Sequence, residues 1–454
     1  MNQKYLVDMT KGSPVNHILG FSIPLLAGNL FQQLYNMVDS IVVGNYVGAN
    51  ALAAVGSCGS LNFLFFALSS GIAIGIGVIV SQYYGAGDEE HVRRTIANSI
   101  YILSVSAVTV SLLGMIYTPW ILTLLGTPQA IFQDAVIYMR TTCAGIPAIA
   151  AYNGIASILR ALGDSKTPLK YLIFACILNV ILDLVFVLQF DMAVFGVALA
   201  TIISQLVSAG ACVIFAYRKV DLFRLTKEQM VPEKHIIINS VKLGIPIAFQ
   251  NSLIAISCLV LQRVVNGYGE TVVAAFTITN RVEQFIQQPY ASVSMAVSTF
   301  TGQNVGAGRI DRVREGFRKS VLMSLIFSLL MLPVAFLFGE QIVSLFVQEN
   351  EVVKMGATAL KITSICYFPL AMIYMPRALM NGAGDAAFAM INGLTEVACR
   401  IGFSILLASI PWIGFWGVWI TTGATWTVTA VVCLLRYFSG IWIQKGMVNI
   451  KESV

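Results

Sequence analysis

Long apolar segments separated by short polar ones run through the whole chain. Read in windows of about 19 residues, the sequence contains some twelve of them, each near or above the ~20 residues with which a helix crosses a bilayer. They are continuous apolar runs, unlike the alternating strands of a membrane barrel, and lipid offers the backbone no hydrogen-bond partners, so they predict helices. The predicted spans are 15–46, 52–83, 95–117, 131–159, 169–188, 194–217, 240–264, 271–303, 318–339, 355–379, 386–409 and 414–437.

Composition supports the membrane interpretation. Hydrophobic residues make up 57% of the 454 residues and charged residues only 11%, which lies outside the range of soluble domains. Lys4 and Lys11 precede a long first span without the short apolar core and cleavage site of a secretory signal, so we expect that span to be retained. The predicted fold class is an all-α integral membrane protein with twelve transmembrane helices.

Basic residues predict the orientation. Most of the 28 Lys and Arg residues lie in the terminal segments or in alternate predicted loops, and Arg160 and Arg377 are assigned to such loops. Because cytoplasmic loops retain Lys and Arg, both termini are predicted to be cytoplasmic in a multi-pass protein of the plasma (inner) membrane. Topology accounts for the net charge of +6, and we expect no nucleic-acid partner.

The chain contains an internal repeat. A shift of 221 residues, the separation of Gln82 and Gln303, places QYYGAG on QNVGAG and superimposes the Gly-Asp pairs at 163–164 and 384–385. Six crossings return a chain to its starting side, so we expect two homologous six-helix bundles related by a pseudo-two-fold axis along the membrane normal. The predicted domains are an N-terminal six-helix lobe at 1–217, a cytoplasmic linker at 218–239 and a C-terminal six-helix lobe at 240–454.

Two local motifs carry turn chemistry. The GAG sequences after the second and eighth spans are predicted to supply positive φ at helix C-termini, where glycine costs least. In RALGDSKTP, Thr167 is predicted to cap the next helix, with Pro168 in its first turn. Asp164 would add negative charge at that helix N-terminus, and a hinge or gating role for this residue stays open.

Only four carboxylates fall well inside predicted spans. A charge at a helix centre costs about 2.5–3.5 kcal/mol on insertion scales, so each of these groups should face protein or water. Intramembrane acids are therefore the leading functional candidates. They are Asp39, Asp183, Glu283 and Glu396.

Polar residues accompany the two acids of the N-terminal half. Gln32, Asn36 and Asp39 are spaced by four and three residues, which predicts a polar stripe along one helix face. In the fifth span an asparagine stands four residues before the aspartate, on the same face. Counted from the outer helix ends at ~1.5 Å per residue, four side chains lie at depths of ~10–15 Å and are expected to form one site. They are Asp39, Asn179, Asp183 and Thr201.

The acids of the C-terminal half have basic neighbours. Glu396 precedes Arg400 by four residues, the favourable order for an intrahelical ion pair, so a structural role is favoured for Glu396. Glu283 and Arg281 are two residues apart and do not face each other. Contact with substrate stays open for Glu283, which with Gln32 and Asn36 forms a second candidate polar or substrate site.

These motifs resemble the multidrug and toxic compound extrusion (MATE) family over essentially the whole chain. The resemblance rests on the paired GAG loops, on RALGDSKTP and its partner NGAGD, and on NVILD in span five. It implies two lobes in a V, alternating access between them, and export of mainly cationic, amphiphilic drugs or toxic metabolites driven by inward H⁺ or Na⁺. In that family an aspartate of span one, an asparagine and an aspartate of span five and a threonine of span six bind the coupling cation. The matching residues here are Asp39, Asn179, Asp183 and Thr201.

The chemistry of this set suits either coupling ion. Oxygen ligands suit a hard cation such as Na⁺, and two close carboxylates in a low dielectric equally share one proton. The eight cysteines lie singly within apolar spans, without the spacing of a disulfide framework or a metal site. We therefore expect no cofactor and no metal beyond this Na⁺. Many members carry an acid in span seven that this chain lacks, so a second ion site of that kind is not expected.

Other functions predict other features. An integral membrane enzyme is disfavoured because no histidine cluster, metal spacing or nucleophile motif is visible. A channel or receptor is a further alternative, separable by testing accumulation against a gradient. The main alternative within transport is a flippase or exporter of a lipid-linked or other amphiphilic substrate, which would call for a more basic inner cavity. The expected partners are small organic cations and the lipid bilayer, and the chain is expected to function as a monomer.

Overall fold

The computed structural model of the protein describes residues 5–408 and 410–446. This part of the chain contains fourteen α-helices, a few short 3₁₀ or π turns and no strand. The helices are α1 (Pro14–Val42), α2 (Ala49–Ala86), α3 (Glu89–Leu124), α4 (Gln129–Ala144), α5 (Ile146–Ala161), α6 (Lys166–Leu188), α7 (Ala193–Lys219), α8 (Lys234–Asn266), α9 (Glu270–Gly306), α10 (Ile310–Ser344), α11 (Asn350–Ser364), α12 (Tyr367–Ala383), α13 (Ala386–Ala408) and α14 (Gly417–Phe438).

These helices form the twelve predicted spans. Eight of the helices are long and apolar enough to cross a membrane, and two bent pairs, α4 with α5 and α11 with α12, form two further spans. The more polar helices α1 and α9, with 29 and 37 residues, complete the set. The predicted fold class is confirmed. The spans predicted at 131–159 and 355–379 are each built from two helices that meet at bends of 43° and 51°. Pro147 and Pro369 lie in the first turns of the second helices, α5 and α12.

The two halves of the chain pack in the same way. In the first lobe, α1–α7, α2 packs against α5 and α6 against α7; in the second lobe, α8–α14, the equivalent pairs are α9 with α12 and α13 with α14. This equivalence is what the 221-residue repeat requires. Between the lobes, α7 ends at Lys219 and α8 begins at Lys234. The domain boundaries at 217 and 240 stay a prediction.

The motif glycines allow the lobes to touch. Gly87 and Gly308 end their motifs with φ of 76° and 69°, as predicted. The first glycines have a second role, because a Cβ on Gly85 would lie 1.9 Å from the carbonyl oxygen of Gln303. The equivalent Cβ on Gly306 would lie 1.8 Å from the carbonyl oxygen of Gln82. Only a residue without a side chain permits this backbone contact.

Two segments cross between the lobes at the end of the molecule that carries the N-terminal segment and the α7–α8 linker, here called the basic end. The segment before α1 is held by the second lobe: Met9 N donates to Gln303 Oε1 at 2.8 Å, and Arg312 Nη1 donates to Gly12 O at 2.9 Å. The segment before α8 is held by the first lobe, where Asn98 Oδ1 accepts from Glu233 N at 2.9 Å. Each lobe thus binds the segment that leads into the other.

The local prediction for the GDSKTP turn needs correction. The helix α6 begins at Lys166, and Asp164 Oδ1 accepts from Lys166 N at 3.0 Å and from Thr167 N at 2.9 Å. Thr167 therefore lies inside the first turn of α6 and is not the cap. The Asp164 side chain instead accepts hydrogen bonds from the first free amides of the helix.

Candidate functional site

The acids of the first lobe face each other. Asp39 lies in the last turn of α1 and Asp183 near the end of α6, two helices that pack together, and their carboxyl groups interact directly. Asp183 is 0% exposed. One oxygen of each carboxyl group, Oδ1, is buried and has no hydrogen-bond partner within the described part of the chain. Two adjacent carboxyl groups therefore stand side by side without a basic partner among the described residues.

Asn179 and Thr201 complete the cluster. The Asn179 amide is oriented so that both its nitrogen and its oxygen form hydrogen bonds. Asn179 Nδ2 donates to Asp183 Oδ2 at 3.1 Å, and Asn179 Oδ1 accepts from Thr201 N at 3.1 Å. The Thr201 hydroxyl lies 3.3 Å from the same amide. The structure therefore brings the four predicted residues together from α1, α6 and α7. Their role in ion coupling stays a prediction.

Two tyrosines of this cluster were missed by the sequence reasoning. The Tyr35 hydroxyl is 3.2 Å from Thr201 Oγ1, and Tyr138 of α4 faces Asp39 and accepts a 3.5 Å hydrogen bond from Asn62. Tyr35 precedes Asp39 by four residues, and this spacing could have revealed it. No local pattern could reveal Tyr138, because its approach depends on how α4 packs in the lobe.

Of the predicted polar stripe along α1, Gln32, Asn36 and Asp39, only Asp39 belongs to this cluster among the described residues. Asn36 is exposed and Gln32 is half-buried, and neither side chain belongs to the hydrogen bonds of the cluster among the residues described. Their role as a substrate or second polar site stays a prediction.

The apolar setting gives the acid pair its chemistry. Valines from three helices and the turn after α1 pack around the site, among them Val42, Val43, Val187 and Val197. In low-dielectric surroundings two adjacent carboxylates cannot both stay charged without a cation. Carboxylate, amide and hydroxyl oxygens of the cluster are suitable ligands for a hard metal cation. Alternatively, the two carboxyl groups can share one proton.

The polar cluster of the second lobe is different. Glu396 forms ion pairs with Arg400 at 3.0 Å and with Arg377 at 3.5 Å, so the predicted pair is confirmed. Glu283 is 5% exposed, interacts with the Thr363 hydroxyl and faces Arg400. These acids already have cationic neighbours, unlike the pair in the first lobe. A substrate role for Glu283 stays a prediction.

The repeat explains this difference. When the first half is aligned with the second by a shift of 221 residues, an asparagine of the first lobe corresponds to an arginine of the second. Both aspartates of the first lobe correspond to uncharged residues. The amide Asn179 corresponds to Arg400, Asn62 to Glu283, Asp183 to Ser404 and Asp39 to Val260. The second lobe thus carries the Arg400 guanidinium at the position where the first lobe carries the uncharged Asn179 amide.

The comparisons with known proteins agree with this architecture. The MatE family model matches residues 24–185 and 246–406, once in each half of the chain. The chain belongs to the MATE family. The probable multidrug resistance protein YpnP of Bacillus subtilis is 30% identical, with 96% of this chain and 97% of that protein covered. The probable multidrug resistance protein YoeA of the same organism is 26% identical, with 99% of each chain covered.

A solved structure shares the fold of this MATE protein. The outward-facing conformation of a multidrug resistance MATE family transporter of the MOP superfamily superimposes with a TM-score of 0.89 at 23% identity, covering 97% of this chain and 98% of that one. The family resemblance seen in the sequence is confirmed. The protein is a multi-pass membrane transporter of a multidrug efflux family and not an enzyme.

Proposed function

We propose that this MATE protein is a secondary active exporter of small amphiphilic organic compounds, driven by inward H⁺ or Na⁺ through alternating access. The observation that carries the proposal is the facing pair Asp39 and Asp183, each with a buried oxygen that lacks a partner within the described residues. A cation is the group that such a pair requires. Asn179 and Thr201 contribute further oxygen ligands.

The energy available to such a site is sufficient. One elementary charge that crosses ~100 mV releases about 2.3 kcal/mol, enough for a roughly 50-fold substrate gradient. To use this energy, the ion must bind one access state more tightly than the other. Without a bound cation, the two carboxylates repel each other and water enters between them. With a cation bound, this repulsion is removed and α1 and α6 move closer together. Ion binding would then favour one arrangement of the first lobe.

The packing of the lobes supports an assignment of this conformation. The hydrogen bonds between the lobes lie in the half toward the basic end, and among the described residues the one furthest from that end joins Asn29, midway along α1, to Ser292. We propose that the basic end is cytoplasmic, since Lys and Arg are retained there, and that this state is closed to the cytoplasm. The protein would act as a monomer in the plasma membrane.

Organic cations are the first proposed substrates. Relatives named as multidrug resistance proteins and the acid cluster of the first lobe support this class. Export of an amphiphile with an anionic head, such as a lipid-linked compound, is the second candidate. It is favoured by a cavity between the lobes that is lined by Arg160 and Arg377.

Transport in proteoliposomes tests the main proposal. The full-length chain is reconstituted, and uptake of a fluorescent organic cation is followed with a pH gradient and a Na⁺ gradient imposed separately. One gradient should drive accumulation, and Asp39→Asn and Asp183→Asn should each abolish it. Asp311→Asn, at an exposed carboxylate of the basic end, is the matched control. Accumulation at wild-type rates in both site variants would place the coupling site elsewhere, with Glu283 the next candidate.

A further inference from the structure

A cavity of about 210 Å³ lies between the two lobes. Its walls come from α2 and α5 of the first lobe and from α8, α9 and α12 of the second. No Asp or Glu lines it among the described residues, whereas two arginines do. Polar residues in its walls include Ser81, Ser157, Arg160, Ser298, Tyr374 and Arg377.

The first arginine has an unmatched charge. Arg160, in the last turn of α5, forms no ion pair with any carboxylate in the described part of the chain. An arginine side chain stays protonated in proteins, and an isolated charge inside a membrane protein is costly. Its place in the wall of a cavity indicates that the missing anion is a ligand.

The second arginine has spare capacity. Arg377 shares Glu396 with Arg400, and Arg400 is the closer partner, at 3.0 Å against 3.5 Å. Arg377 Nε is buried without a hydrogen-bond partner among the described residues, and the guanidinium lies 5.9 Å from the centre of the Tyr374 ring. The stacked ring holds this guanidinium at the cavity wall with a free donor.

The size of the cavity limits its occupant. Pockets for drug-sized ligands measure about 300–1,000 Å³, so 210 Å³ suits a head group or a small anion in this closed state. The planar fork of arginine matches the oxygens of phosphate and carboxylate groups. Serine hydroxyls around the cavity add further donors.

We propose that this cavity binds an oxyanion group, phosphate or carboxylate, between Arg160 of the first lobe and Arg377 of the second. The inference rests on the proposed export function and develops its second candidate substrate class, an amphiphile with an anionic head. Since the two arginines belong to different lobes, the anion contacts both only when the basic end is closed. Substrate that enters from the basic end would therefore favour closure of that end behind it.

Binding to the full chain in nanodiscs tests this site. The probes are octyl phosphate, octyltrimethylammonium and inorganic phosphate, each titrated by calorimetry. Wild type should bind octyl phosphate at least tenfold more tightly than octyltrimethylammonium. Arg160→Gln and Arg377→Gln should each weaken that binding at least tenfold, Arg160→Lys should restore part of it, and Arg281→Gln, which removes an exposed arginine of α9, should leave it unchanged.

The comparison of inorganic phosphate with octyl phosphate distinguishes a free anion from an amphiphile with an anionic head group as the ligand. Equal affinity for inorganic phosphate would support the site and identify a free anion, whereas a preference for octyl phosphate would support the site and identify an amphiphile. Equal binding of the cationic and anionic probes to wild type, or wild-type affinity in both glutamine variants, would overturn the proposal. The wild-type comparison decides the matter even where a variant fails to fold. Asp39→Asn should retain octyl phosphate binding, so failure of the ion-coupling proposal is detected separately.

Discussion

Gln82 and Gln303 make the same hydrogen bond in opposite directions across the two lobes. Gln82 Nε2 donates to Gly382 O at 2.9 Å, and Gln303 Nε2 donates to Ala161 O at 2.9 Å. Both pairs are related by the 221-residue repeat. The two acceptors lie in the last turns of α12 and α5, where carbonyl groups have no partner within the helix. Each glutamine therefore caps a helix of the opposite lobe, and together they close the basic end.

Removal of these caps should open the basic end. Gln82→Ala and Gln303→Ala each leave a buried carbonyl without its donor, at a cost of about 1–3 kcal/mol to the closed state. Spin labels at Lys166 and Asp311 in a cysteine-free background should show a larger long-distance population by double electron–electron resonance. Gln288→Ala is the control, because among the described residues the Gln288 side chain donates within its own helix, to Gln284 O at 3.0 Å. An unchanged distance distribution in both variants would contradict the capping role.

The first glycine of each GAG motif should be equally important. Gly85→Ala and Gly306→Ala introduce a Cβ within 2 Å of a carbonyl oxygen of the other lobe, and only a shift of the backbone relieves the clash. We expect transport to fall at least tenfold in each variant. Gly59→Ala, in the same helix α2 but with nothing near its Cβ, should retain activity. Wild-type rates in the two motif variants would show that the lobes need not approach this closely.

The attachment of the N-terminal segment to the second lobe can be tested by a measurement that needs no transport assay. Arg312 donates to Gly12 O at 2.9 Å and to Met9 O at 3.1 Å, so Arg312→Ala should loosen residues 5–13. Hydrogen exchange of these amides should accelerate at least tenfold. The neighbouring Arg314 forms its ion pair among the described residues with the exposed Asp311, at 3.6 Å, away from the N-terminal segment, and Arg314→Ala should leave the exchange unchanged. Equal exchange in the two variants would argue against this attachment.

The polar partners of the acid pair should contribute less than the acids. Asn179→Ala and Thr201→Ala each remove one uncharged oxygen ligand but leave both carboxylates in place, so coupled transport should decrease without disappearing. If Na⁺ is the coupling ion, the Na⁺ concentration for half-maximal transport should rise several-fold. Complete loss in either variant, with folded protein in the membrane, would mean that this residue does more than bind the ion.

The apolar pattern was sufficient to predict the twelve spans, because a span depends on local composition, and matched motifs such as QYYGAG and QNVGAG were sufficient to predict the repeat. The apolar pattern could not predict the bends between α4 and α5 and between α11 and α12, since a bent span is as apolar as a straight one. The loop assignments of Arg160 and Arg377 were wrong: these residues lie within α5 and α12, at the cavity between the lobes. Hydropathy and charge counting treat a basic residue near a helix end as a topology signal, and only packing reveals which of them face inward. Tyr138 was missed for the same reason.

The central claim is that Asp39 and Asp183 couple ion entry to export, and exchange measurements on Asp183→Asn test it most directly. In the same proteoliposomes, gradient-driven accumulation of the substrate is compared with its passive counterflow in the absence of an ion gradient. We predict that Asp183→Asn loses accumulation but retains counterflow, because the lobes still alternate when the site carries no charge. Accumulation at the wild-type level in this variant would contradict the account.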